Sequence, residues 1–528
     1  MKLEALTPFV CPASIAVSSI AMLVVYLTIP SAHDRAVQHL PSPESDHPIL
    51  RNSLEIIKAQ KSGVFVDWIF YYCRKYQGKP WCFRTMGREP YIVLSSPEAF
   101  EDVLKTQFDA FEKSPDIFEA MYDVLGHGII AVDGPIWKHQ RKTASHLFSV
   151  NMLQYAMEVV VPEMTKELVM RLDEICQKEN EAERVVNMKP LLDLYTMDIF
   201  TKVGFGVDLD GVKFNQNTEP LNALERVSAR ILKRIQQPTW VWKLLRWLDV
   251  GPEKQMSKDI KVLDDFVYGV ISRSIEENRQ KGSIASSRKD LISLFIEKFE
   301  AEYSKGVHTK KDPKLMRDFT LSFIIAGRET TATTMSWMIV MLNRYPKVLE
   351  QVRDELQNKL PDLGSGKMRN PSMEEFQQLV YLEATIRETL RLFPIIVSSG
   401  RSATQDVWLD EGTFIKAGTR VILPHYSIGR MPTVWGPDAN EFKPERWLDP
   451  TTSKIKVVSP FKFTAFLGGP HNCLGMKFAL IEMKIAMAKL LSEFDLKTVK
   501  NPFDFTYCQA VTLQVKGPLD VLVSRLKP

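Results

Sequence analysis

Phe466-Leu-Gly-Gly-Pro-His-Asn-Cys-Leu-Gly475, followed at once by an apolar helical pattern from Met476, is the stretch on which the reading turns. Its glycines and proline enforce a tight, irregular loop, because glycine reaches backbone conformations closed to other residues and proline fixes its own. The loop delivers Cys473 to the amino-terminal end of a helix. There the helix dipole and free backbone N–H groups favour negative charge, so the expected form of the sulfur is the thiolate, which binds metal. In the following helix Glu482, Lys489 and Glu493 fall within about 40° of one another while most other positions are apolar, which predicts a largely buried helix. A lone cysteine beside a helix start is more often an inert small hydrophobe. The loop around Cys473 sets it apart.

Outward from that loop, the chain has the composition of a globular protein, with 528 residues, 45% of them hydrophobic and 25% charged. Such a length permits two domains or one large helical one. The formal charge of +4 is small for this mass and gathers in no basic block, which argues against nucleic acid as a partner. The six cysteines, at 11, 73, 82, 176, 473 and 508, form no Cys-x-x-Cys pair and no dense framework, so a zinc ribbon or disulfide scaffold is excluded and a reducing compartment fits best.

Phe9 to Ile29 carries no charge, and as a helix rising about 1.5 Å per residue it would cross the roughly 30 Å hydrocarbon core of a bilayer. Residues 1–30 are therefore expected to form a single-pass membrane anchor, with a cleaved signal peptide as the rival. Lys2 and Arg35 flank the run evenly, so charge does not set its orientation. Pro30, Pro41, Pro43 and Pro48 make residues 31–52 a proline-rich linker, expected to be extended rather than helical. Trp81–Thr85 and Tyr91–Leu94, separated by Met86-Gly-Arg-Glu-Pro90, read as a hairpin in a small sheet. Beyond Pro97, helical patterns dominate, among them Met152–Glu174, Ile260–Asn278, Phe319–Asn343, Leu379–Phe393 and Met476–Phe494. No composition shift or repeat divides residues 53–528, so one catalytic domain is the simpler organisation.

Three further constellations carry chemistry. Glu388 and Arg391 stand at i and i+3 in Tyr381-Leu-Glu-Ala-Thr-Ile-Arg-Glu-Thr-Leu-Arg-Leu-Phe-Pro394, where they can pair; Pro444-Glu-Arg-Trp447 follows later. Ala326-Gly-Arg-Glu-Thr-Thr331 lies inside an apolar helical pattern, where Gly327 costs about 1 kcal/mol relative to alanine and points to a close approach or a distortion. Trp137-Lys-His-Gln-Arg141 places Trp137 and Arg141 on one helix face. Taken singly, these read as a surface ion pair, a helix whose threonines bond back to its own carbonyls, and a solvated arginine.

Together and in this order they resemble the cytochrome P-450 family over roughly residues 40–520. The resemblance implies a mainly α fold, a large helical domain with a small β-sheet subdomain, and haem b (iron protoporphyrin IX) with Cys473 as its axial metal ligand. Phe466, Gly469, His471, Cys473 and Gly475 keep the family's haem-loop spacing. His471 stands where most members carry an arginine that pairs with a haem propionate. Trp137, Arg141 and Arg401 are the other implied propionate partners. Arg446 is implied to join Glu388 and Arg391 in a buried structural triad. Glu329 and Thr330 are implied to be catalytic: Thr330 steadies bound dioxygen and Glu329 helps relay protons, work for which a carboxylate and a hydroxyl are suited.

The implied reaction puts one atom of O2 into a C–H bond and releases the other as water. A thiolate ligand pushes electron density onto iron and favours O–O cleavage. No flavin or nicotinamide fingerprint occurs, so a separate NADPH-dependent flavoprotein reductase must supply electrons. Gly128–Trp137, Gln140–Phe148 and the Ala326–Thr331 motif look like the branch that hydroxylates fatty acids and alkanes at or near the chain end. With Ala326 where some relatives carry a glutamate, the haem is expected to be held non-covalently. Ile395, Ile396 and Val397 are expected to line the pocket, and Trp240–Trp247 to form a membrane-facing entrance. The expected location is the endoplasmic reticulum membrane, with the catalytic domain cytoplasmic and a lipophilic small molecule as substrate. Two readings stay open beside this one: a monooxygenase of sterols, terpenoids or xenobiotics, and a haem protein that senses gas or passes electrons without oxygenating.

Overall fold

The computed structural model describes residues 28–214, 218–281, 292–297, 313–364 and 371–526. It divides into two compact units, one running to Glu112 and including Ser398–Ser427, the other comprising Lys113–Val397 and the chain from Ile428 onward.

The smaller unit holds the expected hairpin. Trp81–Phe83 pairs antiparallel with Tyr91–Val93, Trp81 facing Val93 and Phe83 facing Tyr91. This pair extends into a five-stranded sheet, in which Tyr91–Val93 lies parallel to Arg420–Leu423, which pairs with Ser399–Ala403 and then Phe111–Glu112. The helices Ser53–Lys61 and Phe65–Lys75 cover an aromatic cluster in which Trp68 meets Tyr72, Trp81 and Phe83 edge-on or tilted, at 5.2–5.8 Å between ring centroids. Such pairs add to the apolar area they bury.

The linker departs from expectation. Ala32–Ala36 is helical because Ser31 caps it: the Ser31 side chain accepts from Asp34 N–H while the Asp34 side chain accepts from Ser31 N–H. This reciprocal cap satisfies two backbone donors that the helix start would otherwise leave open. The segment is also pinned, with His33 Nε2 2.9 Å from the Ala417 carbonyl oxygen and Val37 fully buried. Most of the expected anchor Phe9–Ile29 lies outside the described residues. Among those described, no helix is long and apolar enough to cross a membrane.

The larger unit is helical. Met188–Phe205 packs along Pro313–Arg344, and both are buried on nearly every face from Leu191 to Phe205 and from Arg317 to Leu342. A helix apolar all round belongs in a core. Val161–Cys176, Val380–Leu392 and Met476–Glu493 complete this core. The Met152–Glu174 pattern is interrupted: Val150–Tyr155 is helical, Ala156–Val160 forms a π turn, and the helix resumes at Val161. Pro162 explains the break, since its ring clashes with the carbonyl four residues back and it has no N–H to donate. A three-stranded sheet (Val185–Asn187, Asp520–Arg525, Phe494–Thr498) and the hairpin Tyr507–Gln509/Leu513–Val515 close the unit.

Candidate active site

The Cys473 loop is built from fixed points on both sides. Thr464–Phe466 makes one 3-10 turn, the Cys473 N–H donates to the Phe466 carbonyl at 2.8 Å, and Gly469 turns the chain at φ +70, a region that favours glycine. Helix Met476–Glu493 begins immediately beyond, capped at Gly475.

Behind the loop lies the expected triad. Glu388 is fully buried and accepts from Arg391 Nε and Nη2 at 2.7 Å each, from Arg446 Nε at 2.9 Å, and from the Lys443 N–H at 2.8 Å. Trp447 Nε1 adds a donor at 2.9 Å, a partner the sequence reading passed over. Trp447 stands edge-on to Phe463 at 4.6 Å, and Phe463 edge-on to Phe466 at 6.1 Å. The triad thus reaches Cys473 through Trp447, Phe463 and the Phe466 carbonyl.

On the other side, the Trp137 ring lies 4.0 Å from that of His471, and Arg141 lies 5.6 Å from the Trp137 centroid. Arg141 Nη1 donates to the Asn472 carbonyl at 2.8 Å, and Nη2 reaches the Asn472 side chain. His471 Nε2 sits 3.2 Å from Asp133 Oδ1. Burial pushes the Asp133 carboxyl up, but the His471 bond and Lys113 outweigh it and bring it down to about 2. Asp133 and Asn472 were not anticipated; Asp133 does stand one helical turn before Trp137, the only signal in the sequence.

Cys473 is an exposed residue, yet its thiol is crowded by protein atoms. Exposure and desolvation therefore coexist, and burial raises the thiol above its ordinary value against the opposing N–H groups of Gly475 and Met476 and the Arg141 charge. A coordinated metal favours the thiolate at such a position, as metals do for the groups that bind them. Among the described residues no cluster of three or more His, Cys, Asp or Glu could hold a metal ion by itself. One accessible sulfur, a tryptophan and an arginine beside it suit an iron whose other ligands come from a porphyrin, and the residues fit haem on that ground.

The Ala326–Thr331 motif lies in the middle of Pro313–Arg344. The space at Gly327 is taken by protein: a Cβ there would meet the Phe200 ring at 2.2 Å. The predicted close approach is thus a helix-to-helix contact with Met188–Phe205. Phe200 also stands edge-on to Phe478 at 6.5 Å, linking Gly327 to the helix that begins beside Cys473. Ala326 is exposed and Thr330 partly so, one turn apart on one face; the Thr330 hydroxyl donates to the Ala326 carbonyl at 2.8 Å. Arg328 and Glu329 point inward. Arg328 lies 3.7 Å from Asp193 and 3.6 Å from Glu329, and burial lifts Asp193 to about 6. Glu329 Oε1 accepts from Thr512 Oγ1 and from Gln514 Nε2, the latter at 2.7 Å.

Arg401 belongs to the smaller unit, on strand Ser399–Ala403, where it donates to the Gly400 carbonyl at 2.9 Å. Its neighbour His425 is held down to about 3, by burial first and then by the Arg401 charge. The structure therefore gathers Trp137, Arg141, Phe466, His471 and Cys473 directly, while Glu329 turns to Thr512 and Gln514 and the Thr330 hydroxyl to its own helix.

Comparison with known proteins gives one consistent result. The family described as Cytochrome P450 matches residues 41–521. Cytochrome P450 704B1 of Arabidopsis thaliana is 35% identical over 468 residues, covering 82% of this chain and 86% of the relative. Cytochrome P450 94B1 of the same plant is 32% identical, with 82% of each chain covered. Cytochrome P450 704C1 of Pinus taeda is 32% identical, covering 78% of this chain and 80% of its own.

Proposed function

Because this chain belongs to the cytochrome P450 family, and so is a haem-thiolate monooxygenase using O2 and NADPH-derived electrons from a separate reductase, we propose that it hydroxylates fatty acids or alkanes at or near the chain end. The observation that carries the substrate class is the segment Gly128–Trp137, whose sequence resembles that branch. Its Asp133 and Trp137 hold His471, and a Cβ at Gly128 would collide with Ser322 Oγ at 2.0 Å on the helix bearing Ala326–Thr331. A branch-marking segment is thus wedged between the thiolate loop and the proton-relay helix. Ile396, 40% exposed between buried Ile395 and Val397, offers an apolar surface for a hydrocarbon chain.

When bound, haem supplies reductive activation of dioxygen and insertion of one oxygen atom into a C–H bond. The chain's own residues do the rest. Cys473 offers the sulfur, and Phe466 holds it in place through its carbonyl. Trp137 and Arg141 are the residues that would hold a propionate, Arg141 already being steadied by Asn472. His471, engaged with Asp133, acts by orienting the loop, and Arg401 is a further propionate partner. Thr330 presents a hydroxyl on the exposed helix face, and Glu329 behind it takes up and passes on protons.

Helix Thr239–Trp247 supports a membrane location. Trp242 is buried under Arg234, 4.4 Å from its centroid, while Trp240 and Trp247 are 68% and 80% exposed. Exposed tryptophans suit a membrane interface, which supports a location on the endoplasmic reticulum membrane with the catalytic domain in the cytoplasm.

The test is turnover with a reductase and NADPH on medium- and long-chain acids and alkanes. Terminal or near-terminal alcohols are expected. No hydroxylated product from any of them, with turnover of a sterol, terpenoid or xenobiotic instead, overturns the substrate class. The reduced, carbon monoxide-treated holoenzyme should show the strongly red-shifted Soret band of thiolate ligation, and Cys473→Ala should lack it.

A further inference from the structure

The strand Leu513–Val515 and the residue before it bear on Glu329 in a way the family reading does not assign. Thr512 and Gln514 stand two apart, so their side chains leave the strand on the same face. Both reach Glu329 Oε1, the threonine through its hydroxyl and the glutamine through Nε2 at 2.7 Å. The other carboxyl oxygen faces Arg328 at 3.6 Å, beyond direct hydrogen bonding. Two donors on one oxygen and a cation beside the second leave the carboxyl a single orientation.

The strand is itself fixed. The Leu513 N–H donates to the Ile395 carbonyl at 2.8 Å, and the Leu513 carbonyl accepts from Trp337 Nε1 at 2.8 Å. Trp337 lies two helical turns beyond Glu329 on the same helix and stacks on Phe393 at 3.9 Å. Leu513 is therefore clamped on both backbone groups, and Glu329 is aimed from a rigid frame.

We propose that Thr512 and Gln514 are positioning residues for proton delivery by Glu329. The inference rests on the relay reading given above. A proton relay is sensitive to geometry, and a misplacement of about 1 Å can cost roughly a hundredfold. Thr512 and Gln514 both bond to Glu329 rather than to Cys473 or Thr330, so their effect passes through Glu329.

The test compares Thr512→Val, Thr512→Ser, Gln514→Leu and Glu329→Gln in the holoenzyme. Glu329 is read directly by infrared spectroscopy, as the carboxyl band lost in Glu329→Gln, and function is read as turnover, KM and the share of electrons lost to peroxide. Thr512→Val and Gln514→Leu should shift the band and lower kcat roughly tenfold to a hundredfold. KM should stay unchanged and peroxide should rise. Thr512→Ser should restore the band and the rate. If Glu329→Gln slows turnover while both hairpin variants leave band and rate alone, the positioning role is overturned and the relay stands. If Glu329→Gln leaves turnover and peroxide unchanged, the relay falls and this inference with it.

Discussion

Glu388 and Glu482 are both buried glutamates of the larger unit, and they are buried on opposite terms. Glu388 has two arginines, an indole N–H and a backbone N–H for its two oxygens. Glu482, 1% exposed on the helix after Cys473, has no hydrogen-bond partner for either oxygen. Burial alone drives its pKa well above the ordinary glutamate value, which favours the protonated form. The contrast separates two uses of a carboxyl in a core. A charge can be buried where its partners are preassembled, and where they are absent the group neutralises instead.

The largest break in this comparison is Glu388→Ala. It leaves Arg391 and Arg446 buried without their shared carboxylate, though with backbone acceptors, and removing one partner of a buried pair costs about 3–5 kcal/mol. Denaturant titration of the holoenzyme should show that loss together with weakened haem retention; a cost below about 1 kcal/mol would mean that the cluster is ornamental. Glu482→Gln tests the other side. An unfolded chain releases the Glu482 proton above about pH 4.3 while the fold retains it, so this group's stabilisation is complete below that pH and is lost as pH rises towards the elevated folded value. The slope is up to about 1.4 kcal/mol per pH unit. Glu482→Gln should therefore gain stability on the parent as pH rises from 5 to 7. Unfolding midpoints that run parallel for the two proteins across that window would refute a protonated Glu482. The smallest effect is expected from Trp447→Phe, which keeps the ring against Phe463 and removes one of the donors to Glu388, at about 1–2 kcal/mol. Thermal unfolding measures it, and a loss as large as that of Glu388→Ala would show that Trp447, rather than the arginines, holds the cluster.

Much of the site was legible because its residues sit close together in sequence. Phe466 to Gly475 and Trp137 to Arg141 are local motifs, and the structure brings these two stretches into contact. What sequence reading missed was long-range. Asp133 reaches His471, Phe200 fills the notch at Gly327, and Thr512 and Gln514 seize Glu329, each across more than 100 residues. Gly327 is instructive: the sequence announced a close approach, but which group comes close depends on another helix. The polar stripe Glu482, Lys489 and Glu493 was read as one feature and is two. Lys489 pairs with Glu493, which also pairs with Arg525, while Glu482 turns into the core.

The sequence by itself determined the family, the helix-rich architecture and the membership of the Glu388 cluster, because each is carried by residue types at fixed local spacing. Tertiary structure alone decided the burial of Glu482 without a partner, the helical start of the linker and the aim of Glu329. These depend on how much solvent each group loses and on which distant donors arrive, and neither quantity is encoded in the spacing of neighbours along the chain.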